Sequence, residues 1–432
     1  MKLYKNIKRS FLMGMLVFSI TSCSKKEFMP EPLGEEIPSP DRPSVITALT
    51  TSSNTLFKAA WERVNMDQIL KQEAPKFKVT ILVPSDEAMV KAGLTAAAIA
   101  QANIKDLTAI VRFHVVKAEF TLGSLKISAA QSFNTMLTNP DLLEGQKDGD
   151  YAMISVPYTY RQFLDTDGTS LIANGKKTSA GKEINVANGN LLPIATVLEY
   201  PKKQMLDILK ADGRFKLYLE ALSISRQLYD SFLLETFAEP RPGSMEYWMD
   251  VNTMTPGNFK ASRKSDVSRL TLFAPTDEAF RHAGINSAAD FVALNDRNPY
   301  DGFSQIETDK LLRLHVQGFA TPVLEIDWDN FDIEPGAAIY TTASGGAANM
   351  VFFSNLLNPR HLGNYVTTTL GERGTYTYLD LDFGKDASGK ITVKQKGATT
   401  EAATIVEENI NSLQGPIHVV NRLIIPKDFK LR

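Results

Sequence analysis

The chain has 432 residues, with 47 Lys and Arg against 49 Asp and Glu, a formal net charge of −2, and 43% hydrophobic and 22% charged residues. At roughly 150 residues per domain this length predicts two or three domains, and the composition excludes a disordered or collagen-like chain. The balanced charge leaves no basic excess for phosphates, so nucleic acid is not an expected partner; the single cysteine excludes an internal disulfide framework and a cysteine-based zinc site.

At the amino terminus, Lys2, Lys5, Lys8 and Arg9 precede an apolar run from Phe11 to Ile20. That run is shorter than the about 20 residues a spanning helix needs, and its proportions predict a secretory signal peptide over residues 1–22. Ile20-Thr21-Ser22-Cys23 resembles a bacterial lipobox. The resemblance implies that Cys23 is acylated and becomes the mature amino terminus, with membrane lipid as its partner. Acyl chains bury methylenes at about 0.8 kcal/mol each, which anchors a protein without a spanning helix. Residues 23–43 are rich in proline and charge and predict a flexible tether. Lys26-Glu27 loosely resembles the surface-export signals of some Gram-negative lipoproteins, so the expected location is the outer membrane, lipid-anchored and exposed at the cell surface.

The rest of the chain repeats itself. ILVPSDEAMVKAGL (81–94) returns as LFAPTDEAFRHAGI (272–285), sharing Pro84/Pro275, Asp86/Asp277, Glu87/Glu278 and Gly93/Gly284. IVRFHVVKAEFT (110–121) returns as LLRLHVQGFATP (311–322), sharing Arg112/Arg313 and His114/His315. Each copy closes on an apolar strand, NLLPIATVLEYP (190–201) and GPIHVVNRLIIP (415–426). A duplication follows, with copies over 44–203 and 204–432. In each, an apolar run predicts a buried strand that Pro stops. Ser85 or Thr276 is placed to cap the next helix, Asp-Glu complements its dipole, and Gly93 or Gly284 ends it in a left-handed turn. A second helix should bury Ile104, Leu107, Ile110 and Val111 in one copy and Phe291, Ile306, Leu311 and Leu312 in the other.

The P-S/T-D-E-A blocks, the R-x-H-V segments and the closing G-P-I-H-V-V-N-R-L-I-I-P resemble the signature blocks of fasciclin domains. The resemblance implies an α+β fold: two tandem fasciclin-like modules, each a β-wedge of small sheets with helices packed on one side. It implies adhesion or partner binding, generally without catalysis, and gives Pro84, Asp86, His114, Pro275, Asp277, His315 and His418 as motif residues with structural or adhesive roles. In the end-to-end match, Pro193 stands where the second copy has His418, so the first copy lacks that histidine.

The second copy carries long insertions at 226–265 and 317–414. The first holds Phe237, Tyr247, Trp248 and Met249, which either cover their own domain or form a surface for a protein or glycan. Residues 375–395 predict a hairpin turning at Asp386-Ala387-Ser388-Gly389. No histidines sit at metal-ligand spacing, so no metal or cofactor is expected, and His114 and His315 read as imidazoles bonded to backbone carbonyls. Adjacent carboxylates such as Asp86 and Glu87 point about 100° apart on a helix and make a poor catalytic pair. The expectation is a non-catalytic, lipid-anchored surface binding or adhesion protein, resembling accessory lipoproteins of TonB-dependent outer-membrane importers of glycans or peptides. The alternative is a surface hydrolase of glycans or peptides using residues of the insertions.

Overall fold

A computed structural model describes residues 42–76, 78–125, 131–148, 152–178, 181–237, 267, 269–301, 306–317, 351–370 and 375–431. The signal peptide, Cys23, all of the tether before Arg42, and Tyr247, Trp248 and Met249 lie outside them. The described residues from Pro43 onward pack as one compact unit.

The apolar run Val79–Pro84 forms β1, and every residue of it is buried. Such a run is buried on both faces, so it belongs in the middle of a sheet with cover on either side. β2 (Val115–Val116) pairs with it antiparallel and β8 (Gly189–Ile194) pairs with it parallel. β7 (Ile184–Val186) lies antiparallel beyond β8. On the other side the sheet continues from β2 through β3 (Gln131–Asp148), β4 (Ala152–Thr166), β5 (Leu171–Ala173) and β6 (Lys176–Thr178).

The second half builds the same four-strand core. β9 (Thr271–Pro275) pairs antiparallel with β10 (Val316–Gln317) and parallel with β16 (Pro416–Val420), and β15 (Ala403–Asn411) flanks β16. Among the described residues this sheet extends from β15 rather than from β10, through β14 (Ile391–Gln395) and β13 (Leu381–Lys385). β13 and β14 are the expected hairpin, with Asp386 Oδ1 accepting from the Ser388 and Lys390 N–H groups and Gly389 at φ +84°. Thr375–Tyr378 is not part of it. It is β12, paired with β11 (Val366–Leu370) in a separate two-stranded sheet.

Helices cover one face of each core sheet. In the first half, Val45, Leu49, Phe57, Trp61, Leu107 and Val111 pack on Val79, Ile81 and Val83. In the second, Met205, Leu209, Tyr218, Phe280 and Phe291 pack on Leu270, Leu272 and Ala274. The architecture is the α+β arrangement expected from the sequence. Leu107, Val111, Phe291, Ile306, Leu311 and Leu312 are buried as expected, whereas Ile104 is 51% exposed. Ile104 is the first residue of its helix, directly after the Asn103 cap.

The register corrects the expected alignment of the closing strands. Pro84 pairs with Ile194 and Pro275 with Val420, so the counterpart of His418 is Leu192, not Pro193. Two glycines show why. Gly189 (φ +147°) and Gly415 (φ +146°) cross the start of the central strand so closely that an added Cβ would lie 1.9 Å from the Val79 carbonyl oxygen and 2.1 Å from that of Leu270. Only glycine fits there. Matching the copies by their closing prolines slips this crossing by one residue.

The residue before each glycine repeats a double role. Asn188 O accepts from Val79 N, and its Oδ1 accepts from Val45 N at 2.8 Å. Gln414 O accepts from Leu270 N, and its Oε1 accepts from Met205 N at 2.9 Å. One residue thus ties the first helix of each half to its central strand. Replacing Gly415 by Ala forces that crossing apart and should cost at least about 2 kcal/mol, read as a lowered urea midpoint. Gly93→Ala, at φ +78° with nothing within 4 Å of the new carbon, should cost only about 1 kcal/mol.

Candidate functional site

The motif residues are brought to equivalent places. Ser85 and Thr276 each cap a helix, accepting from Ala88 N and Ala279 N at 3.2 Å. Gly93 and Gly284 follow those helices in the left-handed region, and Leu94 N and Ile285 N reach back to Met89 O and Phe280 O. The aspartates act beyond their own helix. Asp86 accepts from the Thr55 hydroxyl (2.6 Å) and Leu56 N (2.8 Å), and Asp277 from Leu217 N (2.8 Å), so each caps an earlier helix of its own half, Thr55–Arg63 and Lys216–Phe237. Slight burial works against the Asp86 carboxylate, but the Thr55 and Leu56 bonds outweigh it and hold the pKa below its ordinary value. Pro84 and Pro275 are the buried last residues of β1 and β9.

His114, His315 and His418 are fully buried. His114 Nδ1 donates to Ile110 O (2.8 Å) while Nε2 accepts from Leu198 N (3.0 Å). His315 Nδ1 donates to Phe273 O (2.6 Å) while Nε2 accepts from Ile424 N (3.0 Å). His418 uses the other tautomer, with Nε2 donating to Phe352 O (2.8 Å) and Nδ1 facing Asn409 N at 3.4 Å. Each imidazole therefore holds one proton, because its second nitrogen faces a backbone N–H. Burial pushes all three pKa values down from 6.5 to about 4. None of the three is exposed to a partner.

The polar chemistry of the molecule concentrates instead at the seam between the halves. Arg269, two residues before β9, is 6% exposed. Its Nε and Nη2 donate to Glu144 Oε2 of β3 at 2.9 and 2.6 Å, and Nη2 also to Thr159 O at 2.6 Å. The guanidinium carbon lies 4.6 Å from the Tyr158 ring centroid, and Tyr158 donates its hydroxyl proton to Leu413 O at 2.7 Å. Burial disfavours the Arg269 cation, but Tyr158 and Glu144 outweigh it and keep the pKa above its ordinary value.

Further bonds close the seam. Val267 N donates to Leu143 O (2.7 Å), Asn355 Nδ2 to Asp165 Oδ2 (2.9 Å), and Leu413 N to Lys203 O (2.9 Å). Val267 and Leu413 lie in one buried cluster with Leu137, Tyr158 and Tyr160. Gly175, at φ +75°, sits against Asn409, whose Nδ2 would be 2.7 Å from an added Cβ.

At the edge of this seam a small crevice of about 20 Å³, room for about one water, is lined by Tyr160, Arg161, Phe163, Asn174, Phe353 and Asn411 among others. Arg161 lies beside Glu144 with Nη2 3.7 Å from Oε1, and its Nε has no hydrogen-bond partner. Sequence reasoning missed Arg161, Arg269, Glu144 and Tyr158. Arg269 alone left a faint signal, a cation leading directly into an apolar strand. Phe237, expected on a partner surface, is the last residue of the helix Lys216–Phe237, in which Phe232 meets Tyr300 with ring centroids 5.2 Å apart. Among the described residues, no group of three His, Cys, Asp or Glu could hold a metal ion, and no helix is long and apolar enough to cross a membrane.

Residues 52–199 match the family model of the Fasciclin domain. This match spans the central and closing strands of the first half and its helices from Thr55 onward, but not the opening helix Val45–Thr50. The solved structure of a FAS1 domain pair from the insect cell adhesion molecule fasciclin I is similar over 88% of this chain and 100% of that chain, at 14% identity and a TM-score of 0.29. No curated protein matches the chain. The duplication rests on the internal register, since the glycine crossings, amide ties, aspartate caps and first histidines recur in both halves.

Two predictions follow from this geometry. A histidine with a depressed pKa stabilises the fold fully above pH 6.5 and loses that contribution as pH falls to about 4, because the unfolded chain binds the proton first. Each histidine supplies about 3 kcal/mol over that range at most. Urea unfolding from pH 7.5 to 4.5 should therefore show stability falling with acid, and His418→Leu, which copies Leu192, should flatten the slope by about a third. At the seam, Glu144→Gln leaves the Arg269 charge uncompensated and should cost about 3–5 kcal/mol in the same assay. The double variant Glu144→Leu with Arg269→Met should recover much of the loss.

Proposed function

We propose that the chain is a non-catalytic binding or adhesion protein, held to the outer membrane by lipid on Cys23 and facing the cell exterior. The observation that carries the reading is the Fasciclin domain match over residues 52–199, in a family whose roles are adhesive and partner-binding. The repeated core supports it. The motif aspartates and histidines that could suggest chemistry are engaged with backbone groups, as caps and ties. The lipobox-like Ile20-Thr21-Ser22-Cys23 supports the anchor, and the basic and apolar segments before it support export.

Within that reading the protein serves as an accessory lipoprotein of a TonB-dependent importer of glycans or peptides. Two joined modules on a lipid tether present two surfaces to one complex, and the second site then binds at high effective concentration. Its partner is a protein of that complex or a surface glycan, and the aromatic residues near Tyr247 and Trp248 are the segment to test first.

The anchor and the partnership are tested separately. Cells fed a labelled fatty acid should incorporate label into the wild-type chain and not into Cys23→Ala, which should leave the membrane fraction. Label in the variant would refute the anchor. Affinity purification from detergent-solubilised outer membrane should recover a transporter subunit. Repeated recovery of none would remove the importer role while leaving the adhesive reading standing.

A further inference from the structure

Two asparagines stand directly before glycine, Asn174-Gly175 and Asn188-Gly189, and both lie at the tight turns of β-hairpins. Such a pair carries its own chemistry. A glycine nitrogen, unhindered by a side chain, closes readily on the asparagine side-chain carbonyl to form a cyclic imide. Both pairs follow an alanine, so chain context alone makes them alike.

The fold holds them differently. Asn174 is half-buried and tied at both ends, with Oδ1 accepting from Phe163 N at 2.9 Å and Nδ2 donating to Gln162 Oε1 at 2.7 Å. Asn188 is exposed and tied at one end, with Oδ1 accepting from Val45 N at 2.8 Å. Among the described residues its Nδ2, the group that would leave, has no hydrogen-bond partner. Val45 begins Val45–Thr50, the first described helix, and short elements near a chain end open most readily. Gln414 holds the place of Asn188 in the second half, but it is 1% exposed. Its longer side chain would also have to close a ring one atom larger, a much slower reaction.

We propose that Asn188 is a site of spontaneous deamidation that unties the opening helix of the first half and has no counterpart in the second. The Gly189 nitrogen bonds to Asn188 Cγ, the Cγ–Nδ2 bond breaks, and the Gly189 amide proton leaves with the amine as ammonia. Water then opens the imide on either side, giving aspartate or isoaspartate with no change of oxidation state. Gly189 is paired with Val186 and Val79, so the ring closes when this turn and the Val45 tie open together.

The two products differ in effect. Aspartate leaves the main chain as it was, and its carboxylate still accepts from Val45 N. Isoaspartate routes the main chain through the former side chain. That adds a methylene ahead of Gly189 and takes out of the main chain the Asn188 carbonyl that accepts from Val79 N at 3.2 Å. The crossing is too tight to absorb the longer chain, since even a Cβ on Gly189 would lie 1.9 Å from the Val79 carbonyl oxygen. The inference rests on neither the membrane anchor nor any partner.

The test is peptide mapping by mass spectrometry of the full chain aged in mildly alkaline buffer, both folded and in urea. In urea the two asparagines should convert at similar rates. In the folded chain Asn188 should convert about five- to tenfold faster than Asn174, the effect of one hydrogen bond fewer to break, and Gln414 should not convert. Isoaspartate at 188, labelled by an isoaspartate-specific methyltransferase, should accompany a population with a lowered urea midpoint. Asn188→Gln, which copies Gln414, should age without that population. No conversion at Asn188 in the folded chain, conversion at Asn174 as fast or faster, an isoaspartate-bearing chain with an unchanged midpoint, or an Asn188→Asp variant weakened as much as the aged chain would overturn the proposal.

Discussion

In each half a strand laid down early pairs in parallel with one laid down much later, and the pairing is possible only where a glycine crosses the start of the early strand. Gly189 passes over Val79 and Gly415 over Leu270 at distances that admit no side chain. The preceding residue then bonds both the central strand and the opening helix. Helix, first strand and last strand are thereby locked at one point, and the rest of each half is hung from it. A parallel pair needs such a device, because its strands cannot be joined by a short turn and their register is set by contacts distant in sequence.

That lock explains why the buried motif residues are satisfied rather than poised. Asp86 and Asp277 cap helices that precede them in the chain, and His114 and His315 bond backbone N–H groups of segments that follow the closing strands. Each motif residue thus secures the wrap of its own module from a different direction. These side chains are spent on backbone groups of their own module, so the motif reads as scaffold.

The two halves diverge where they meet. The first extends from β2 into a long ribbon, β3–β4, while the second extends from β15 on the opposite side of its core. Glu144 and Tyr158 sit on that ribbon and Arg269 enters β9, so the seam is built from what the copies do not share. A buried ion pair contributes little net stability, since desolvation offsets most of the attraction, but it punishes any arrangement that leaves one partner alone. The seam therefore sets the relative placement of the halves more than it strengthens them. It also leaves Arg161 beside a carboxylate already committed to Arg269.

Much of this was legible in the residues. The strand-Pro-Ser/Thr-Asp-Glu block carries its own local physics: an apolar run, a breaker, a cap, a dipole-complementing pair and a left-handed glycine. Two copies of such a block announce a duplication. What failed was long-range. The closing strands were aligned one residue out, placing Pro193 opposite His418, because the crossing that sets their register is a backbone contact with no residue pattern beyond a single glycine. The hairpin at Asp386 was found because a turn is local, whereas the pairing of Thr375–Tyr378 with Val366–Leu370 was not. The amino-acid order by itself determined the repeated blocks and their Ser85 and Thr276 caps, since those depend on neighbours within a turn or two of chain. Only the tertiary structure decided the seam of Arg269, Glu144 and Tyr158, because Coulomb and hydrogen-bond partners more than a hundred residues apart leave no periodicity for a sequence to display.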